Sequence, residues 1–128
     1  MKCREFQFGD WCCNEYGLPM QMVDLGKDYA YATYEGDEGY PWLFSDSKDG
    51  QPHPIPLTPE ILKKNGWKDA EFWCEYQDGN NTIQYCPPDM RGKINGIEIE
   101  HFKCEYVHQY QHLLRLCGLD ELADNFKM

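Results

Sequence analysis

His108 and His112 stand four residues apart, and on a helix that spacing puts two imidazoles on one face, able to hold one divalent ion. Zinc proteases with paired helical histidines carry a glutamate directly after the first one, where this chain has Gln109. A third ligand is also needed, and Glu105, one turn earlier on the same side, is the local candidate. Against a metal site stands the ordinary behaviour of an amphipathic helix. Both histidines lie opposite an apolar stripe, which predicts a solvated polar face.

Cys12 and Cys13 offer a second possible chemistry. Neighbouring residues of a strand point to opposite faces, so at most one of the two thiols joins any given site. A nucleophilic cysteine also needs a base such as His53 or His101, and no nucleophile motif surrounds either cysteine. Packing as small core residues is the better reading. Phosphate-cradling glycine loops, nucleophile elbows and carboxylate motifs are missing as well. The chain therefore leans towards a non-enzymatic protein, and no cofactor is implied.

A third set of residues is aromatic. Tyr29, Tyr31, Tyr34, Tyr40 and Trp42 are more than one small barrel holds inside, so some of them face outwards. Aromatics with polar handles are favoured at binding surfaces, which makes Tyr31, Tyr34, Tyr40 and Trp42 the expected interaction surface.

The elements that position these residues follow from periodicity and turn chemistry. Trp11 to Cys13, Met20 to Leu25 and Tyr29 to Tyr34 read as meander strands, with an acidic turn over 35–39 and an edge strand over Tyr40 to Phe44. Short strands at this spacing predict a small barrel-like half over residues 1–57. The loop from Ser45 to Pro54 connects it to an α+β half over residues 58–128, the two being either separate domains or parts of one compact unit. There Thr58, Pro59 and Glu60 open a short helix, and Asn65-Gly66 closes it with Trp67 folding back on Leu62. A hairpin follows, with Tyr76 expected opposite Asn81, Cys74 opposite Ile83 and Phe72 opposite Tyr85. Pro87-Pro88-Asp89 breaks the pattern, and a third strand runs through Ile97, Ile99 and His101. The strands pack on a C-terminal amphipathic helix whose stripe is Tyr106, Val107, Tyr110, Leu113, Leu114 and Cys117, closed by Gly118 with Leu119 folding back. Asp120 is expected to cap a last turn in which Leu122 and Phe126 share a face. The fold class is α+β.

With 128 residues the chain is long enough for an unaided core, and nine Tyr and four Trp must fill much of it because Leu, Ile and Val are sparse. A formal net charge of −10 without a basic patch opposes binding to nucleic acid or anionic membranes. The N-terminal residues lack an apolar leader, and no run of about 18 apolar residues occurs, so export and membrane insertion are not expected. Seven cysteines without a Cys-x-x-Cys pair fit reduced thiols in a cytoplasm.

Two stretches carry a resemblance: Pro54-Ile55-Pro56-Leu57-Thr58-Pro59-Glu60-Ile61-Leu62-Lys63-Lys64-Asn65-Gly66-Trp67 and Tyr106-Val107-His108-Gln109-Tyr110-Gln111-His112-Leu113-Leu114-Arg115-Leu116-Cys117-Gly118. Together they resemble a family of short uncharacterised proteins encoded by gut Bacteroidetes and their phages or mobile elements. The chain departs from that pattern at Tyr110, where Leu is common, and at His112, where Asn is common. The resemblance implies a bacterial or phage setting and brings no reaction, ligand or functional residue with it.

The expected function is that of a non-enzymatic module whose partner is a protein. One alternative is a metal-binding protein or metal-dependent enzyme using His108 and His112. Another is an acidic DNA mimic, since 22 acidic side chains face 12 basic ones. A mimic needs its carboxylates along one surface at the spacing of duplex phosphates, and here they are scattered along the chain.

Overall fold

The structure, a computed structural model, describes residues 1–34 and 37–128, without the side chains of residues 37–40. The chain is α+β and divides into two compact units, Met1–Ile55 and Pro56–Met128.

The first unit is an antiparallel four-stranded sheet in meander order: β1 (Trp11–Cys13), β2 (Pro19–Leu25), β3 (Tyr29–Tyr34) and β4 (Asp37–Ser45). Among the described residues β1 and β4 are the two edges, and the sheet does not close on itself. The predicted acidic turn is partly strand, because Asp37 already pairs with Tyr34. Alternation in β3 decides the faces. Ala30 and Ala32 are fully buried, and they share the core side with Cys12, Met20, Met22 and Phe44, roofed by Cys3 and Phe6. Two methyl-sized residues in the middle strand leave room for unbranched methionines on one side and a phenyl ring on the other. Tyrosine thus fills less of this core than composition predicted. Asn14 organises the β1–β2 connection by accepting from Tyr16 N and Leu18 N at 2.9 and 3.0 Å. The other edge, β4, carries Pro41, whose missing N–H suits an edge strand.

The second unit holds α1 (Pro59–Lys64), a five-stranded antiparallel sheet of β5 (Lys68–Asp69), β6 (Cys74–Asp78), β7 (Asn81–Cys86), β8 (Asp89–Ile94) and β9 (Ile97–Lys103), then α2 (Val107–Leu116) and α3 (Asp120–Asp124). Thr58 caps α1 by accepting from Ile61 N at 3.3 Å, and Gly66 closes it in a left-handed conformation with Trp67 N donating to Leu62 O at 3.2 Å. The same closure ends α2, where Gly118 N donates to Arg115 O and Leu119 N to Leu114 O.

Three expectations are corrected here. The hairpin turn is the two-residue Gly79-Asn80, so Cys74 faces Tyr85 and Tyr76 faces Ile83, two residues from the expected register. A shift of two keeps the apolar face intact, and only Phe72 loses its place, standing exposed before β6. Strand β8 was not foreseen, since no strand was expected between the break at Pro87-Pro88-Asp89 and the strand through Ile97. Gly92 instead lies inside the strand at φ 142°, with its Cα against the Thr82 backbone, where a Cβ would collide with the Thr82 carbonyl. Asn95 and Gly96, at φ 50° and 80°, form the tight hairpin turn that joins β8 to β9. Last, Leu119 is the N-cap of α3, and Asp120 is its first helical residue.

The core of this unit contains Ile83, Tyr85, Met90 and Ile94 of the sheet with Val107, Tyr110, Leu113, Leu114 and Cys117 of α2. A chain of ring contacts crosses it, from Tyr76 to Trp67 (5.8 Å), to Tyr110 (5.8 Å) and to Phe126 (5.6 Å). Leu114 is fully buried, so Leu114→Ala should lower unfolding stability by about 2 to 5 kcal/mol, read from denaturant midpoints. Asn95 Nδ2 donates to Cys117 O at 2.8 Å, tying the β8–β9 turn to the end of α2. Asn95→Gly keeps the backbone conformation and removes that bond, and should cost about 1 kcal/mol in the same measurement.

Candidate functional site

The metal candidates sit on α2 and just before it. His108 is buried, which corrects the solvated face expected for it, while His112 is half-buried. Further along α2, two polar residues meet α3: Gln111 Nε2 donates to Ala123 O at 3.0 Å, and Arg115 pairs with Asp124 at 3.2 Å. The His108 ring stacks on Tyr106 at 5.9 Å and meets His112 edge-on at 5.4 Å. Glu105 pairs instead with Lys103 at 3.6 Å. Among the described residues no three His, Cys, Asp or Glu side chains converge as a metal-holding group.

The cysteine candidates divide as strand geometry demands. Cys12 enters the core of the first unit, and burial pushes its thiol well above the ordinary range. Cys13 is brought beside His53, the two exchanging backbone hydrogen bonds at 2.9 Å. Its Sγ donates to the His53 carbonyl at 3.6 Å, and burial raises this thiol too, the reverse of what a thiolate nucleophile needs. The other proposed base, His101, stands exposed at φ 54° in the irregular part of β9.

Of the aromatic set, the structure places Tyr31 on the outer face of the first sheet. Tyr34 and Trp42 pack against the core cluster, and the Tyr40 side chain lies outside the described residues. The neighbours of Tyr31 are ones the reading by composition did not pair with it. Tyr29 meets it edge-to-face at 5.9 Å, Leu43 lies directly across on β4, and Asp24 lies directly across on β2. Leu43 is 55% exposed and Tyr29 41%, while Tyr31 is half-buried, so the row meets water chiefly at its flanks. Period-two alternation carried the signal, since residues 29 and 31 share a face that 30 and 32 do not.

A second exposed surface is the polar face of the five-stranded sheet. A concavity of about 520 Å³ lies there, lined by Thr82, Gln84, Arg91, Lys93, Glu98 and His101 among others. Lys93 stands across from Glu98 on it, and elsewhere Lys63 pairs with Asp69 at 2.6 Å. On this unit these acids are therefore interleaved with cations. No helix among the described residues is long and apolar enough to cross a membrane. No family model, curated protein or solved structure matches this chain.

Burial also governs how the fold responds to alkali. It raises the Cys104 thiol to about 12 and the Tyr85 phenol to about 12, while burial together with the neighbouring Asp46 carboxylate raises Cys3 to about 11. Above the ordinary thiol value of 9.0 the unfolded chain has lost protons that the folded chain keeps, so stability falls as pH rises towards those folded values. Urea midpoints should be level from about pH 7 to about pH 8 and decline steadily beyond about pH 9. A midpoint that held constant to about pH 10.5 would show that these groups are not buried as described.

Proposed function

We propose that this chain is a non-enzymatic protein-interaction module of a bacterial or phage cytoplasm, the setting implied by its two motif stretches. A partner protein binds the outer face of the first sheet. The observation that carries this reading is the row of Asp24, Tyr31 and Leu43 across three strands, extended by Tyr29. Aromatic and aliphatic groups held in register on a rigid sheet lose little freedom on binding, and tyrosine adds a hydroxyl for a polar rim. Irregularities at Val23 and Thr33 increase the local twist, which supports reading this half as an open, barrel-like sheet. The interleaving of acids with lysines on the second unit weighs against a DNA mimic there, since a mimic needs an unbroken negative stripe.

Affinity capture with the tagged chain, followed by the same capture with Tyr31→Ala and Leu43→Ser combined, tests this. The double variant should lose a specific partner while its circular dichroism and melting temperature stay unchanged, because both side chains reach solvent. A partner retained in full by the variant would overturn the assignment of this face. Recovery of nothing specific, together with turnover of a small molecule in an activity screen, would overturn the module.

A further inference from the structure

We infer that the partner segment seated on the outer face of the first sheet bears arginine. This rests on the preceding reading of that face and names the chemistry it selects. Tyr29 and Tyr31 meet edge-to-face, and Tyr29 is 41% exposed, which offers ring surface to a planar cation. The Asp24 carboxylate occupies the cross-strand position next to Tyr31 on the same side of the sheet, where it can accept a guanidinium fork. Leu43, on the opposite flank of Tyr31, offers apolar surface to the methylene stem of the same side chain.

Two further observations support an arginine over other occupants. Residues 1–55 carry ten acidic and four basic side chains, a field that attracts cations and repels acidic peptides, nucleic acid and anionic lipid. The Tyr29 ring is also set in place before any partner arrives. It lies against the backbone of Gly26, where any Cβ would collide with the ring. A ring so held costs little further ordering on binding. Lysine fits this arrangement less well, because a hydrated ammonium neither stacks flat on a ring nor forks onto a carboxylate. Lys27, in the turn before Tyr29, is the neighbouring cation that a partner must avoid.

The test uses the full chain with fluorescein-labelled hexa-arginine, hexa-lysine and hexa-glutamate peptides in anisotropy titrations at moderate salt. Hexa-arginine should bind at least about fivefold more tightly than hexa-lysine, and hexa-glutamate should not bind. Tyr31→Ala should weaken hexa-arginine binding roughly five- to tenfold, Tyr31→Phe should retain it, and Asp24→Asn should weaken it about threefold. Glu98→Gln, on the other unit, should leave it unchanged. Equal affinity for the two basic peptides, or equal losses from Asp24→Asn and Glu98→Gln, would reduce the effect to net charge and overturn the inference. Should the captured partner depend on Tyr31 and Leu43 while the basic peptides are not distinguished, the arginine assignment falls and the module stands. Should hexa-arginine binding depend on Tyr31 while no captured partner does, the module falls and the chemistry of the face stands.

Discussion

Backbone groups that leave water must find partners, and in this chain side-chain amides supply them where regular hydrogen bonding stops. Asn14 closes the β1–β2 loop. Asn65 donates to the last turn of α1 through Ile61 O and also exchanges two bonds with the backbone of Lys127, at 2.8 and 2.7 Å. Gln109 reaches back to accept from Glu105 N and Tyr106 N, satisfying donors at the start of α2, while Asn95 satisfies a carbonyl at its end. Gln111, fully buried, ties α2 to α3. A primary amide offers both a donor and an acceptor without charge, so it can replace a peptide group inside a structure without the cost of burying an ion. Removing the Gln111 amide leaves the Ala123 carbonyl in a place that water does not easily reach.

The two units fill their interiors differently. In the first, Met20, Met22, Cys12 and Cys3 pack around two alanines, a soft and adaptable arrangement with few branched side chains. In the second, tyrosine and tryptophan rings form a connected series, and the Tyr85 hydroxyl keeps its hydrogen bond by donating to Cys104 O at 2.6 Å. Thiols and phenols in such interiors stay protonated, which suits packing and opposes nucleophilic chemistry. That is why the functional reading rests on exposed faces. Ion pairs such as Lys63 with Asp69 are largely solvated and contribute little to stability, although they set the pattern of surface charge.

Local chemistry in the sequence determined the ends of both longer helices and the two-sided alternation of β3. Thr58, Pro59, Gly66 and Gly118 act through backbone conformation and nearby hydrogen bonds, so no distant residue is needed to read them. The alternation of tyrosine with alanine was equally legible, and it put Tyr29 and Tyr31 on one face and Ala30 and Ala32 on the other, while packing decided which of the two meets the core. The Asn95-Gly96 pair was a readable hairpin signal as well, and it would have located β8. Within β8 itself, Gly92 weakens any strand signal, and in the sheet it marks a close approach to the Thr82 backbone. The depth of His108 was decided only by tertiary structure. Helical periodicity places it opposite the apolar stripe, whereas in the fold it is 3% exposed, stacked on Tyr106 and edge-on to His112, and periodicity within one helix does not encode such cover. The hairpin register and the joining of Asp24, Tyr31 and Leu43 into one row belong to the same class, because strand pairing is a relation between segments and no single segment encodes it.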